Sequence, residues 1–282
     1  ARLRDGLLEG FADRYLPGTP AQTPGVPEAD AKAHAQLIAG TYTSSRRPDR
    51  NFLSLANVLG PVKVAANEDG TITVAMATSA AGAPKQWREV APYVWQDRDS
   101  TDRLAADVVD GRVVRFTMEP YAPIMVFERV STWRALAMPL LVASLVVLLL
   151  TVVAWPVSAL VRRYYGTPYR LTGTDARAHR LVRIAALLVL LAMGGALALV
   201  VGMLSNLAMT SPDTDVLIIA VRLFATVVLP LGAAVAVWNA WQVLRGRRRV
   251  LAKLWAVLLA LACLFLLWIG IAQHVIGFGA NY

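Results

Sequence analysis

Few residues of this chain could do acid–base, redox or metal chemistry, and they lie far apart. There are three histidines, His34, His179 and His274, and one cysteine, Cys263. The histidines fall in a linker, in a basic loop and at the end of the last apolar segment, so they cannot share a metal ion, and we expect solvated or interfacial side chains. Cys263 lies among leucines, which is typical of a small apolar residue. No G-x-S-x-G, P-loop, H-E-x-x-H or C-x-x-C pattern occurs. The sequence therefore predicts no catalytic, cofactor-binding or metal site.

The charge of the chain is concentrated in its second half. The formal net charge is +9. Residues 1–133 hold 15 Lys/Arg against 16 Asp/Glu, a net of −1, whereas residues 134–282 hold 13 against 3, a net of +10. The densest basic run, VLRGRRRVLAKLW at 243–255, lies between two apolar stretches. A short loop leaves little room for a folded basic face that could read nucleic acid, so we expect a lipid bilayer as its partner and no nucleic acid.

Four apolar stretches in residues 134–282 are each long enough to cross a bilayer, which requires about 20 residues of helix. Residues 135–161, 184–212 and 254–282 contain no charged side chain, and residues 216–244 contain only Arg222. We therefore predict a four-helix transmembrane bundle with spans at about 135–161, 184–206, 216–244 and 254–276.

The connections between these spans alternate in charge. The first and third connections are basic, the second carries Asp213 and Asp215, and the end of the chain is uncharged. Under the positive-inside rule, the basic connections face the cytoplasm, and residues 1–133 and the C-terminus lie outside. Each base near anionic head groups gains about 1 kcal/mol. The basic residues assigned to the inner face are Arg162, Arg163, Arg170, Arg177, Arg180, Arg183, Arg245, Arg247, Arg248, Arg249 and Lys253.

Arg222 is the charged residue inside a predicted span, and intramembrane charges are functional by default. It lies about two turns from the outer end of its helix, where Asp213 or Asp215 could reach it as a partner. A long side chain at that depth could instead extend to the interface. The sequence leaves both interpretations open.

Small residues recur every four positions in two of the predicted spans. They are Gly194, Ala198 and Gly202 in the second helix and Gly232, Ala236 and Ala240 in the third. This spacing lets helix backbones approach closely. We therefore expect a packed bundle rather than four independent anchors.

The first 38 residues do not form a domain by themselves. Residues 1–16 have a helical spacing of leucines and aromatics, and we interpret them as the terminal helix of a missing upstream domain. Residues 17–38 form a proline-rich linker followed by a short helix. The chain begins without an apolar leader, so an exported region implies a longer precursor.

Residues 39–130 have the alternating pattern of β-strands. Asp-Gly pairs at 69–70 and 110–111 separate alternating runs, which is a strong hairpin signal. Six to eight short strands predict a small antiparallel β-barrel or sandwich. With the helices that follow, the fold class is multidomain α and β. The expected core is Trp87, Val90, Tyr93, Trp95, Phe116, Met125 and Phe127.

The order of these parts resembles that of a known family. FADRYLP, a proline-rich linker, GTYTSSRR at 40–47, hairpins at NEDGTITV and VDGRVVRF, and a closing FERV precede the membrane segments. This arrangement resembles the C-terminal half of membrane-anchored β-lactamase-related serine hydrolases, a group that includes class C β-lactamases and D-alanyl-D-alanine peptidases. The resemblance covers about residues 1–130 and implies a lipocalin-like β domain, an upstream catalytic domain and the bacterial inner membrane, with residues 1–133 and the C-terminus periplasmic or extracellular.

The catalytic motifs of that family are absent from this chain. None of Lys32, Lys63, Lys85 and Lys253 has a serine three positions before it, and no tyrosine is followed two positions later by asparagine. The Lys/His-x-Gly element is also missing. Hence the chain itself cannot carry that active site.

The resemblance implies a non-catalytic accessory and membrane-anchoring region of an exported serine acyl-hydrolase. In that setting, the β domain could bind peptidoglycan or lipid. The alternative from a different class is a non-enzymatic membrane receptor or transport component whose exterior β domain binds a ligand.

Overall fold

The computed structural model describes residues 7, 10, 11, 14, 15, 25–79, 82–167, 172–206, 209, 211–246 and 248–279, leaving out the side chain of Trp133. The chain divides into two compact units, residues 1–47 with 60–135, and residues 48–59 with 136–282. The five described residues of segment 1–16 are helical. The rest of the predicted terminal helix, and the proline-rich linker through residue 24, lie outside the described residues.

The first unit contains eight antiparallel strands that close into a barrel, with each strand paired to its neighbours in sequence and β1 paired to β8. This up-and-down order confirms the predicted barrel and decides against the sandwich. The strands are β1 (Gly40–Ser44), β2 (Val62–Ala66), β3 (Ile72–Thr78), β4 (Pro84–Ala91), β5 (Val94–Asp97), β6 (Arg103–Val109), β7 (Arg112–Met118) and β8 (Phe127–Arg129).

Both predicted hairpins are present, and local chemistry explains each turn. Asp110 and Gly111 have φ of 50° and 70°, the positive pair that a two-residue turn between twisted strands requires. In the β2–β3 turn, the Asp69 carboxylate accepts hydrogen bonds from the Thr71 backbone N–H (3.1 Å) and hydroxyl (2.6 Å). The Thr71 hydroxyl, and then its N–H, lower the pKa of Asp69 because they stabilise the carboxylate.

The barrel interior follows the two-residue period of its strands. Trp87, Trp95, Phe116 and Phe127 are buried as predicted. Tyr93 and Met125 are partly exposed but pack against this core. The prediction was wrong for Val90, which is partly exposed and lies outside the core. On β4, Trp87 and Glu89 share the inward face, so Val90 points the other way. A period-two strand cannot bury both Trp87 and Val90.

A helix, α1 (Glu28–Ile38), completes the barrel core at the end that carries the β2–β3 turn. Ala35 and Ile38 are fully buried. The Tyr42 hydroxyl on β1 donates a 2.7 Å hydrogen bond to the Ile38 carbonyl oxygen. These contacts tie the last turn of α1 to the first strand.

Four helices of the second unit are long and apolar enough to cross a membrane. Each packs against its sequence neighbour, and the first also packs against the last, as in an up-and-down four-helix bundle. Within the described residues, the helices after α1 are α2 (Ala56–Leu59), α3 (Thr132–Ala135), α4 (Ala137–Tyr164), α5 (Gly173–Ser205), α6 (Asp215–Arg245) and α7 (Val250–Ala272), with 3₁₀ turns at Phe52–Leu55 and Pro212–Thr214.

Two of these helices begin before the predicted spans. α5 starts at Gly173 rather than at residue 184, and α7 starts at Val250 rather than at residue 254. Arg177, Arg180 and Arg183 therefore lie on a helix and not in a loop. The predicted spans began where charged residues end, because they were defined by apolar composition. A helix can continue past that point, since its backbone hydrogen bonds do not depend on apolar side chains.

The small-residue prediction is confirmed for α6, whereas in α5 it is wrong for two of the three residues. Gly232, Ala236 and Ala240 are buried. Gly202 is partly buried, and a Cβ there would lie 2.8 Å from Sδ of Met209. Gly194 and Ala198 are exposed, and a Cβ added to Gly194 would meet no atom within 4 Å. α5 instead buries a stripe at a three-to-four-residue spacing, which comprises Val182, Ala186, Val189, Met193, Ala196, Val200 and Met203.

The β1–β2 connection is part of the bundle unit. Asn51 begins the 3₁₀ turn by accepting a 3.1 Å hydrogen bond from Leu53 N–H on its side-chain oxygen. Phe52, Leu55 and Val58 belong to the same buried cluster as the long helices. No sequence pattern had predicted that role.

Candidate functional site

Two carboxylates lie inside the barrel, each beside a tryptophan. The register of β4 and β5 sets Trp87 opposite Asp97 and Glu89 opposite Trp95. All four residues are at most 3 % exposed. Since buried charges are costly unless they are paired, the partners of Asp97 and Glu89 decide what this wall of the barrel can do.

Asp97 belongs to a compact ionic cluster at the end of the barrel that carries the β3–β4 and β5–β6 turns. The Lys85 ammonium lies 2.8 Å from Oδ2 of Asp97 and 2.8 Å from Oδ2 of Asp102. It also donates a longer, 3.4 Å hydrogen bond to the Ser100 hydroxyl. Ser100 in turn donates to Oδ2 of Asp97 at 2.8 Å. Every ammonium proton of Lys85 thus has an acceptor within the cluster.

Burial alone would lower the pKa of Lys85, but the hydrogen bonds and charges of Asp102 and Asp97 outweigh it and raise that pKa. The lysine is therefore firmly cationic. It cannot serve as a neutral base or amine nucleophile near neutral pH.

The cluster forms the polar side of a cavity of about 330 Å³. Three aspartates, Asp97, Asp99 and Asp102, and one base, Lys85, line it, so its formal charge is −2. The opposite side is apolar and aromatic, with Trp87, Met118 and Tyr121. The volume is at the small end of the range for ligand pockets.

Two buried polar atoms at this cavity make no hydrogen bond with the described residues. They are Oδ1 of Asp97 and Nε1 of Trp87, one an acceptor and the other a donor. Leaving a buried polar group unpaired costs about 1–3 kcal/mol. Neither atom has appreciable accessible surface, so the unpaired groups belong to the packed wall of the barrel and are not open to the cavity.

The second carboxylate, Glu89, is held at the α1 end of the barrel. Its Oε1 lies 2.8 Å from Nδ1 of His34 and accepts a 2.7 Å hydrogen bond from Tyr93 N–H. The His34 ring also contacts the Tyr93 ring at 4.2 Å between centroids. The expectation of a solvated His34 was wrong, because its imidazole binds a carboxylate inside the barrel. Glu89 is four residues from Lys85, about 13 Å along the strand, so it is not part of the cavity.

Arg222 is buried in α6, where it binds the end of the chain. Its guanidinium donates hydrogen bonds to the carbonyl oxygens of Gly279 and of His274, the latter at 3.2 Å. It also lies 5.6 Å from the centroid of the Phe52 ring. These contacts give Arg222 backbone carbonyl partners, in place of the expected Asp213 or Asp215 or an extension to the interface. His274 takes part through its carbonyl, and Cys263 is buried among apolar residues.

One turn further along α6, Thr226 binds the same terminal segment. Its hydroxyl accepts a 3.0 Å hydrogen bond from Gly277 N–H. A Cβ at Gly277 would lie 2.5 Å from a terminal nitrogen of Arg222. The glycine is therefore what lets the C-terminal segment approach the guanidinium so closely.

The two basic connections lie at one end of the bundle. Asp175 at the start of α5 forms a 3.0 Å ion pair with Arg248 before α7. Arg170 and Arg247 lie outside the described residues. The other predicted inner-face residues lie toward this same end: Arg162 and Arg163 in the last turn of α4, Arg177, Arg180 and Arg183 in about the first three turns of α5, Arg245 at the end of α6, Arg249 before α7 and Lys253 in its first turn.

Sequence reasoning missed the cavity residues Lys85, Trp87, Asp97 and Asp102 as a group. A signal was present, since an acid falls on the inward register of β4 and another on that of β5. Among the described residues, no group of three or more His, Cys, Asp and Glu could hold a metal ion.

Comparison with protein-family models, with curated proteins and with solved structures found no match.

Proposed function

We propose that this chain is the accessory and membrane-anchoring region of an exported serine acyl-hydrolase of the β-lactamase-related group. The barrel would lie outside the bacterial inner membrane and the basic ends of the helices inside. The observation that carries the anchoring role is the pairing of four membrane-length helices with arginine-rich connections at one end of the bundle. Anionic head groups favour such an end in the inner leaflet.

The hydrolase assignment is supported by the GTYTSSRR segment at 40–47, which forms β1 and the turn after it, and by the NEDGTITV and VDGRVVRF hairpins. An eight-stranded up-and-down barrel is also what the lipocalin-like domain of that group leads us to expect. Since this chain has no Ser-x-x-Lys or Tyr-x-Asn motif, the chemistry would belong to the region that precedes Ala1.

Membrane orientation can be tested with single cysteines. In a Cys263→Ala background, Asp110→Cys marks the β6–β7 turn and Thr167→Cys marks the α4–α5 connection. We expect a membrane-impermeant maleimide to label residue 110, but not residue 167, on cells with a permeable outer envelope. Labelling of residue 167 alone would reverse the proposed orientation and place the barrel inside. Labelling of both residues only after lysis would mean that α4 does not cross the membrane.

The hydrolase assignment can be tested on the natural gene product. Translation of the DNA upstream of Ala1 should reveal an exported domain with Ser-x-x-Lys and Tyr-x-Asn. A fluorophosphonate probe should label the full protein and lose that label when the predicted serine is changed to alanine. An upstream region without these motifs would contradict the hydrolase assignment while leaving the anchoring role intact.

The cavity in the barrel favours a second candidate, a membrane receptor or transport component whose exterior β domain binds a ligand. The specific observation is the cavity of about 330 Å³, which Asp97, Asp99, Asp102 and Lys85 line on one side. Arg222 does not support this candidate by itself, because its guanidinium binds carbonyl oxygens of the segment 274–279 and so stabilises the fold. We expect Arg222→Leu to free this segment for proteolysis, and Arg222→Lys to do so less.

A further inference from the structure

We propose that a groove between α6 and α7 binds one acyl chain of an anionic glycerophospholipid, and that Arg245 and Lys253 bind the phosphate of that lipid. The groove measures about 520 Å³. The inference rests on the anchoring part of the proposed function, because it needs the bundle to lie in a bilayer. It does not depend on an upstream hydrolase.

The groove is apolar and lies on the outer surface of the bundle. Its small residues are Ala233 and Ala234 of α6, and its large ones include Trp238 and Trp241 of α6 with Leu264 and Leu267 of α7. An alanine leaves open the space that an indole or a leucine would fill, so the groove follows from this alternation of sizes. Every residue that lines it is apolar or aromatic, so it suits a hydrocarbon chain better than a polar ligand.

The length of the groove favours an acyl chain over a partner helix. From Pro230 to Trp241 it runs about 17 Å along α6, at 1.5 Å per residue. Half of the hydrocarbon core of a bilayer measures about 15 Å. The groove is therefore as long as one leaflet is deep, whereas a membrane-spanning helix would need a groove across both leaflets.

One base stands at the end of the groove on each helix. Arg245 follows Trp241 by four residues, so it lies on the same face of α6, and its guanidinium carbon is 3.8 Å from the centroid of the Trp241 ring. On α7, Lys253 precedes Leu264 by eleven residues, which is about three turns and returns to the same face.

The two bases are at about the same depth. A Cβ at Gly270 of α7 would lie 2.6 Å from a methyl group of Leu229 of α6, so these two residues are level. The helices are antiparallel neighbours, and sixteen residues further toward the basic end are Arg245 on α6 and Leu254, the neighbour of Lys253, on α7. One phosphate between the helix ends can therefore meet both bases.

Acidic side chains of the bundle do not compete for these bases. The acids of residues 134–282 are Asp175, Asp213 and Asp215. Asp175 pairs with Arg248 at 3.0 Å, and the other two precede α6, at the opposite end from Arg245. Arginine presents a planar fork that matches phosphate oxygens, and basic pockets between membrane helices bind anionic head groups.

Native mass spectrometry of the full chain, released from detergent micelles, counts bound lipids. Palmitoyl-oleoyl phosphatidylglycerol and the matching phosphatidylcholine have the same chains and differ in the charge of the head group. We expect one phosphatidylglycerol to bind about tenfold more tightly, because two bases meet its head group. Glycerol phosphate, which has no acyl chain, should not bind. Equal binding of the two lipids, or binding of glycerol phosphate as tight as that of the lipid, would overturn the proposal.

A pair of double variants tests the two bases. Arg245→Gln with Lys253→Gln should abolish the preference for phosphatidylglycerol. Arg163→Gln with Arg180→Gln removes the same charge from exposed residues at the same end of the bundle, and it should keep the preference. Parallel loss in both double variants would mean that only the net charge of this end matters, which would overturn the site.

A second pair of variants tests the groove itself. Ala234→Trp fills it and should weaken binding of phosphatidylglycerol about tenfold, because the acyl chain loses its contacts. Ala198→Trp is the same change on an exposed residue of α5 and should leave binding unchanged. A dimer of the parent that Ala234→Trp dissociates would show that a second copy covers the groove, and it would overturn the proposal. Should Ala234→Trp fail to fold, the charge variants decide the matter.

Flotation with lipid vesicles separates this inference from the anchoring role. A chain that floats with vesicles but shows no preference between the two lipids would overturn the lipid site and leave the anchor intact. A chain that does not float would overturn both.

Discussion

The barrel and the helix bundle handle buried polar groups in opposite ways. In the barrel, acids enter the core on β4 and β5 and meet polar side chains, since Asp97 binds the Lys85 ammonium and Glu89 binds the His34 imidazole. In the bundle, the buried cation Arg222 meets backbone carbonyls of the chain's own end. Most strand carbonyls are engaged in the ladder, whereas the segment that follows α7 lies outside any helix or strand and presents carbonyls to Arg222.

The two units also differ in what fills their interiors. The barrel core is built from large aromatic residues, with Trp87, Trp95, Phe116 and Phe127 almost fully buried. The bundle interior relies on small residues of α6, such as Gly232, against which side chains of α5, such as Val189, pack closely. Truncating a buried side chain should therefore destabilise the barrel more than the bundle. Enlarging a buried residue should destabilise the bundle more than the barrel.

The largest loss of stability is expected from truncating an aromatic side chain in the barrel core. Trp95 is 0 % exposed, and we expect Trp95→Ala to destabilise the barrel by about 3–5 kcal/mol because it leaves a large cavity. Trp268→Ala is the matched control in the bundle, since Trp268 is 44 % exposed and its loss should cost less than about 1 kcal/mol. Hydrogen exchange resolved by segment measures both. Equal loss of protection in the two units would refute the contrast.

The next largest loss of stability is expected from enlarging a small buried residue of the bundle. A Cβ at Gly232 would collide with a methyl group of Val189, so we expect Gly232→Ala to cost about 1–3 kcal/mol through overpacking. Gly194→Ala adds the same methyl group on an open face of α5, and it should be neutral or slightly stabilising. Unfolding in mixed micelles with increasing dodecyl sulfate compares them. If both variants unfold like the parent, the close approach at Gly232 is not a packing constraint.

These contrasts separate what periodicity can predict from what it cannot. Apolar length predicted four spans, and Asp-Gly pairs predicted both hairpins, because each depends on residues close together in the chain. The face on which Gly194 lies depends on the rotation of α5 about its axis, which only its packing partners determine. For the same reason, the Phe52 segment could not be assigned to the bundle from its position between two strands.

The candidate site was harder to predict than the fold. Lys85, Asp97 and Asp102 come from two strands and a turn, and their meeting depends on strand register. The sequence did contain one usable clue. Placing Trp87 in the core required Glu89 to be inside as well, and an acid on an inward face requires a partner.

A smaller loss of stability is expected from breaking an ion pair of the barrel, and its size should depend on burial. Asp97 is buried beside Lys85, whereas Asp107 forms a 2.9 Å pair with Arg115 in which both side chains are about half exposed. We expect Asp97→Ala to cost about 2 kcal/mol, as for hydrogen bonds to charged groups. Asp107→Ala should cost less than about 1 kcal/mol because water screens that pair. Urea unfolding followed by the barrel amides distinguishes them, and equal costs would show that burial adds nothing to the Lys85 pair.

The smallest expected effect is a loss of barrel stability in strong alkali, where Tyr42 loses its proton. Burial raises the pKa of Tyr42 to about 12 from 10, against the opposing charge of Arg129. Between pH 10 and 12 the unfolded chain therefore loses this proton before the folded barrel does, and stability falls as pH rises. The raised pKa of Lys85 acts in the same direction, since its ion pairs are lost above its folded pKa.

We expect alkali to open the barrel before the bundle, with a loss of about 2 kcal/mol or less from Tyr42 at the upper end of this range. Tyr42→Phe removes that titration together with the hydrogen bond to Ile38, so it should be less stable than the parent at pH 8 but less sensitive to pH above 10. Hydrogen exchange is too fast in alkali, so the measurement is urea unfolding at fixed pH, followed by near-ultraviolet circular dichroism. If parent and variant lose stability in parallel, the alkaline transition belongs to Lys85 and not to Tyr42.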